Sequence, residues 1–148
     1  MSYQATVTID APADIIWGNL IDVEHWPDST ASITTVQRLD HGPFGLGSRA
    51  RIKQPKLPSV VWTVTDFQPL REFTWVVPSP GVTTIARHAI TPADDNTSTL
   101  TLSIERQGIL APVMDALTDK LTREYVNMEA AGLKRVCEAA AQRRLATA

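Results

Sequence analysis

From Leu110 to Arg143 the chain holds only one glycine, Gly132, and one proline, Pro112, while Ala, Leu, Glu, Lys and Arg predominate. That stretch predicts a single long helix, because residues with little side-chain entropy to lose favour the helical state and breakers are missing from its interior. Pro112 falls in the first turn, where its missing N–H costs nothing. Val113, Leu117, Leu121, Tyr125, Met128 and Val136 recur at spacings of three, four or a multiple, so one side of the helix is expected to face an apolar surface. The final residues, Leu145 to Ala148, are expected to fray.

Everything before Gly108 reads as extended chain with two short helical interruptions. Tyr3 to Asp10 carries β-branched residues at Thr6, Val7, Thr8 and Ile9, as strands prefer. Asp10 and Pro12 then signal a helix start, and Ala13, Ile16, Trp17 and Leu20 give that helix an apolar face up to about Asp22. Glu24 to Thr30 is read as a second short helical turn. Six strands follow: Ile33–Asp40, one starting at Arg49, Val60–Phe67, Glu72–Val77, Val82–Thr91 and Thr99–Gln107. Dense turn signals separate them, among them Gly42, Pro43, Gly45 and Gly47, then Pro78-Ser79-Pro80-Gly81, then Pro92 to Asn96.

Short connections favour antiparallel neighbours. Helices segregated from a mostly antiparallel sheet make an α+β fold. One helix covers a seven-stranded sheet only if the sheet curls around it, and the curl leaves room for a ligand. The period-two pattern fixes which side faces the helix. Ala50, Ile52 and Gln54, then Val60, Trp62 and Val64, then Phe73, Trp75 and Val77, then Thr84, Ala86, His88 and Ile90, then Leu100, Leu102 and Ile104 form the inward set. Arg49, Arg51, Lys53, Thr63, Thr65, Arg87, Thr101, Ser103 and Glu105 face out. A slip of one residue would bury the charges.

The runs GLGSRARIKQPKLPSVVWTVTDFQPLREFTW, ARHAITPADDNTSTLTLSIERQG and YVNMEAAGLKRVCE, with TIDAPADIIW near the start, resemble the bacterial polyketide cyclase/dehydrase-like branch of the START-like, or SRPBCC, superfamily. The resemblance runs almost end to end. It implies a helix-grip fold over residues 1–148 as one ligand-binding domain: a curved seven-stranded antiparallel sheet wrapped around a long C-terminal helix, with two short helices after the first strand. It also implies an internal site for a small hydrophobic molecule, lipid-like, aromatic or polyketide-like.

Within such a cavity the expected ligand-binding residues are Trp26, Gln54, Trp62, Phe73, Trp75, Thr84, His88, Leu117, Leu121, Tyr125 and Met128. His88 is the sharpest of them, because a histidine in an apolar cavity can move a proton or hydrogen-bond a ligand oxygen. It can equally be a satisfied core residue. Tyr125 offers a phenol from the helix, and together with His88 it forms the pair of catalytic candidates. Trp62 and Trp75 can stack on a planar ring or simply fill the core. Trp26, beside Pro27 in a loop, can line the entrance or equally belong to the packing of the short helices. The glycines at 42, 45 and 47 lie between two strands, not between a strand and a helix as a phosphate cradle requires, so they predict a hairpin lid.

Other chemistry is excluded or unsupported. Fourteen basic residues against sixteen acidic ones leave a formal charge of −2, so the cationic surplus of a nucleic-acid binder is missing. His25, His41 and His88 are too scattered for a zinc site, and no GxSxG elbow is present. No metal or cofactor is expected. A single cysteine, Cys137, allows no internal disulfide and suits a reducing compartment. With no leader-like start and no apolar run of about 20 residues, stable membrane insertion is not expected and the location is read as cytoplasmic. Monomer and homodimer both remain open. Three functions fit: a carrier for a small apolar molecule, a polyketide cyclase, aromatase or dehydratase acting in the same cavity, and a non-catalytic interaction or chaperone-like module.

Overall fold

A computed structural model describes residues 2–147. The elements follow the order β1 (Ser2–Ile9), α1 (Ala13–Ile21), a 3-10 helix (Val23–Asp28), β2 (Thr35–Arg38), β3 (Arg49–Lys53), β4 (Val60–Gln68), β5 (Glu72–Ser79), β6 (Val82–Pro92), β7 (Ser98–Gln107) and α2 (Ala111–Thr147). The seven strands form one antiparallel sheet in the order β1-β7-β6-β5-β4-β3-β2. Every neighbour is also a sequence neighbour except β1, which closes onto β7 with Ser2 opposite Glu105 and Ile9 opposite Ser98. This is the helix-grip arrangement: α2 lies in the hollow of the sheet against β1, β7 and β6, and α1 packs beside it.

The alternation read from the sequence holds through most of the sheet. Ala50, Ile52, Trp62, Val64, Phe73, Trp75, His88, Ile90, Leu100 and Leu102 are buried. One irregularity changes the pattern, a bulge between Val64 and Asp66 on β4. A bulge adds a residue to one strand and so reverses the alternation beyond it. Phe67 thereby turns inward, where its ring lies 5.3 Å from Trp17 and 6.2 Å from Phe44.

Phe44 corrects the expectation of a hairpin lid. The β2–β3 connection drives this ring into the core, 5.2 Å from Phe73 and 6.0 Å from Trp75, so the segment plugs the fold and covers no opening. The turn chemistry of its glycines was visible in sequence, with Gly42 and Gly47 at positive φ; the single apolar anchor among them outweighs that chemistry. Each large ring so buried stabilises the fold by roughly 1.5–3 kcal/mol.

The helix face is the second correction. Val113 and Leu117 point to solvent, Leu117 being 77% exposed, whereas Tyr125, Val126, Ala130, Leu133, Cys137 and Ala141 are buried. The expected stripe therefore holds at Leu121 and Tyr125, which face the cavity, and fails at Val113 and Leu117; toward its C-terminal end α2 approaches its neighbours largely through small side chains. Gly132 shows how closely: a Cβ there would sit 2.2 Å from the Ser29 carbonyl oxygen. α2 also continues helically through Leu145 to Thr147 instead of fraying, and Ala148 lies outside the described residues.

Candidate functional site

Where α2 spans the concave face without touching it, a cavity of about 290 Å³ remains. That is near the lower end of the volumes of small-molecule sites, about 300 Å³ upward. Its sheet wall is built from the inward residues of β3 to β7, and its helix wall from Met114, Thr118, Leu121, Thr122, Tyr125, Val126 and Glu129. Among the lining residues Pro58, Ser79 and Met114 are exposed, so the opening lies between the β3–β4 loop, the β5–β6 turn and the start of α2.

Of the residues expected from sequence, the structure brings Trp26, Gln54, Trp62, Trp75, Thr84, His88, Leu121 and Tyr125 to the cavity wall. Three stand elsewhere. Phe73 is wholly buried behind the wall, stacked on His88 at 4.3 Å between ring centroids. Leu117 is exposed on the outer side of α2, and Met128 is half-buried without reaching the cavity. Trp26 is found not at the entrance but at the inner end, only 6% exposed, with its ring 5.4 Å from Trp75 and 5.5 Å from His88. Its 3-10 helix carries it there because Val23 and Trp26, one turn apart, both bury.

His88 projects from β6, directly opposite Phe73 on β5. Its Nδ1 lies 3.2 Å from the Phe73 carbonyl oxygen. A carbonyl only accepts, so Nδ1 carries the proton and Nε2 holds the free lone pair. Burial among aromatic rings pushes the imidazole pKa down to about 4, the bond to Phe73 opposing that shift only in part. The ring is therefore neutral at physiological pH and acts as a hydrogen-bond acceptor or base through Nε2.

Tyr125 is placed differently. Its hydroxyl donates to the Pro55 carbonyl, tying α2 to the β3–β4 loop. Gln54 makes a similar tie, its Nε2 donating to the Ser32 carbonyl at 3.2 Å, and Lys53 holds the carbonyls of Gln54 and Leu57. These polar side chains shape the rim of the cavity through bonds to backbone. The phenol proton of Tyr125 is thus committed, leaving its oxygen as an acceptor.

Two polar residues in the wall were not among the sequence candidates. Arg106 continues the inward parity of Leu100, Leu102 and Ile104 by one more step on β7, and that alternation was the signal for it. Its guanidinium bonds Asp115 at 3.1 Å and Thr122 Oγ1 at 3.0 Å, a largely buried bridge from sheet to helix. Glu129 stands one helical turn beyond Tyr125, on the same face. Protein surrounds its side chain, which keeps accessible surface where the cavity reaches it. Among the described residues its carboxyl has no hydrogen-bond partner, and burial pushes its pKa up to about 8. A buried, unpaired carboxyl takes up a proton in place of bearing an unsolvated charge, so Glu129 is mainly an uncharged acid near neutrality.

The inner end of the cavity therefore combines a neutral base and a neutral acid, from opposite walls, in apolar surroundings. Cys137 shows the contrasting case of a titratable group without a site: buried in packing, its thiol is pushed up to about 12 and is inert. Among the described residues no cluster of His, Cys, Asp and Glu suits a metal ion, and no helix is long and apolar enough to cross a membrane.

The sequence profile of a family described as "Polyketide cyclase / dehydrase and lipid transport" matches residues 1–138. Comparison with curated proteins gives no match. Solved structures give many. The di-domain aromatase/cyclase BexL of the BE-7585A biosynthetic pathway is 17% identical with a TM-score of 0.68, over 91% of this chain and 45% of that one, so the chain spans less than half of BexL. The Zhui aromatase/cyclase from Streptomyces sp. R1128 is 20% identical with a TM-score of 0.70, over 98% of this chain and 95% of that one. Norcoclaurine synthase from Thalictrum flavum, in complex with dopamine and hydroxybenzaldehyde, is 16% identical with a TM-score of 0.69, over 93% and 87%. At such identities the likeness establishes the fold alone.

Proposed function

We propose, from the premise that this chain belongs to the polyketide cyclase/dehydrase and lipid transport family, that it binds a small, largely apolar molecule in the cavity between sheet and α2. One observation carries the reading: the fold leaves a cavity of about 290 Å³ in a place where packing it solid would add stability. Protein interiors are ordinarily close-packed, and unfilled volume is costly. Ile52, Val60, Trp62, Trp75, Leu102 and Leu121 supply the apolar contact, and the two indoles offer flat surfaces suited to a ring system. The resemblance to aromatase/cyclases and to a synthase holding dopamine and hydroxybenzaldehyde agrees with an aromatic ligand.

Native mass spectrometry of protein purified without refolding tests the reading. A co-purifying mass of a few hundred daltons, lost on denaturation, is the expected result. A chain that neither retains such a mass nor takes up any apolar probe in titration does not use its cavity.

A second reading, catalysis of cyclisation or dehydration on a polyketide-like substrate, is favoured by the pairing of His88 with Glu129. An uncharged acid and an uncharged base with opposite roles are what proton transfer at neutral pH needs. Under this reading Glu129→Gln and His88→Phe each abolish turnover while ligand binding stays measurable. Unchanged turnover in either variant removes that residue from the chemistry.

A further inference from the structure

A recess of about 10 Å³ lies against the inner end of the main cavity, and the two share Trp26, Ile33, His88, Leu102 and Glu129 as walls. Its size matches one oxygen-sized group, since about 10–15 Å³ accommodates a single water. Its remaining polar neighbours are already engaged. Ser29 Oγ donates to the Trp26 carbonyl at 3.0 Å, and Thr30 Oγ1 bonds Ser32 Oγ at 2.7 Å while accepting from the Ser32 N–H.

Three groups around the recess are not engaged among the described residues. The Trp26 indole N–H is buried without a partner. The second is His88 Nε2, an acceptor because Nδ1–H is committed to Phe73. The third is the Glu129 carboxyl. A buried polar group left without a partner, as the Trp26 N–H is, costs about 1–3 kcal/mol, and with His88 and Glu129 in the walls of the same small space the recess calls for an occupant. The occupant has to give one hydrogen bond and accept at least one. A hydroxyl does both; a carbonyl oxygen cannot donate, and a carboxylate brings a charge that no neighbouring cation offsets. Among the described residues the two cations in the cavity lining are already held, Arg106 by Asp115 and Thr122 and Arg87 by Glu72.

We propose that this recess is a hydroxyl-recognition subsite, so that the ligand of the cavity is a neutral apolar alcohol or phenol that enters O–H first. Its O–H donates to His88 Nε2, and its oxygen accepts from the Glu129 acid, with the Trp26 N–H as the further donor in the wall. The proposal rests on the reading of the cavity as a ligand site and adds to it the chemical class of the ligand.

The test uses three probes with one body: 4-propylphenol, propylbenzene and 4-propylbenzoate, measured by calorimetry at pH 7 with the protein titrated into each. The phenol is expected to bind about tenfold tighter than propylbenzene, the effect of one or two net hydrogen bonds, and the benzoate to bind weakest. In the folded double variant His88→Phe/Glu129→Leu the phenol should lose that advantage while propylbenzene changes by less than about threefold. Equal binding of phenol and propylbenzene to the wild type overturns the subsite and leaves the apolar cavity standing. So does a benzoate that binds tightest, or a preference for phenol that survives in the double variant. If none of the three binds, the cavity reading itself falls and takes the subsite with it. Should the double variant fail to fold, the wild-type ranking decides alone.

Discussion

The two halves of α2 meet the rest of the molecule in opposite ways. From Ala130 to Ala141 the helix is set down tightly: Gly132 rests on the Ser29 carbonyl, Leu133, Cys137 and Ala141 are buried, and Arg135 donates to the Ser29 carbonyl at 2.8 Å. Lys134 reaches the Thr8 carbonyl at 2.7 Å, and Glu138 accepts from the Asp10 N–H at 2.9 Å. From Ala111 to Leu121 the helix is instead held off the sheet, linked to it by Arg106, Asp115 and Thr122, with the cavity beneath and solvent above Leu117. Small residues bring a helix close and polar struts keep it distant. The difference is what converts a curved sheet with a helix in it into a fold with an interior space. Glu129 sits at the border, where close packing gives way to cavity.

The largest expected effect tests that border. Glu129 has a folded-state pKa of about 8 against an ordinary value of 4.5. Between those values the folded chain holds a proton that the unfolded chain has released, so stability falls as pH rises from about 4.5 to about 8, by a few kcal/mol in full. Glu129→Gln removes the titration. Its stability advantage over wild type should grow steadily from pH 5 to pH 8 in urea unfolding; an advantage independent of pH would show that Glu129 is solvated. His88 works in the other direction, with about 4 in the fold against 6.5. There the unfolded chain takes up its proton first, so stability is lost as pH falls from about 6.5 to about 4. From about pH 4.5 to 6.5 the two slopes oppose each other, and above that window Glu129 acts without that opposition.

Gly132→Ala probes the tight half. In an open helix the change would gain about 1 kcal/mol. Here the new methyl meets backbone, and overpacking of that kind costs about 1–3 kcal/mol. Thermal or urea unfolding should therefore show a net loss of up to about 2 kcal/mol, and a gain would mean that α2 is not seated on Ser29. The counterpart is Gly18 in α1, exposed, where an added methyl would meet nothing within 4 Å. Gly18→Ala should stabilise by about 0.5–1 kcal/mol, the opposite sign from the same substitution.

Why the sheet was readable and the helix face was not follows from the same contrast. A strand alternates strictly, so the charged row Arg49, Arg51 and Lys53 against Ala50 and Ile52 left one register, and every strand lies within a few residues of its expected limits. The bulge at Val64 to Asp66 broke the rule without a glycine or proline to announce it, which is why Phe67 was not placed inward. On α2 the spacing of Val113, Leu117, Leu121 and Tyr125 suggests one buried side, which holds for Leu121 and Tyr125 but not for Val113 and Leu117, because a helix that packs closely through Gly132, Ala130 and Ala141 is not oriented by its larger side chains alone. Reading from Ala130, Leu133, Cys137 and Ala141 back toward Tyr125 and Val126 leads to Glu129 as well. Trp26 could not be positioned from its loop-like context, since only the tertiary fold brings the 3-10 helix against Phe73, Trp75 and His88.

The smallest expected effect belongs to the held-off half. If its outer face takes no part in the cavity, Val113→Ser and Leu117→Ser together should change stability by no more than about 0.5 kcal/mol, as for surface positions free of special contacts, and leave 4-propylphenol affinity unaltered. Leu121→Ala, one turn further and on the cavity wall, should reduce that affinity, because it removes apolar surface worth about 0.8 kcal/mol for each methylene buried by the ligand. Calorimetry on the two variants separates the faces. Equal loss in both would mean that the helix is rotated from the position described, with Leu117 turned toward the sheet, and the distinction between its halves would then have to be drawn along a different stripe.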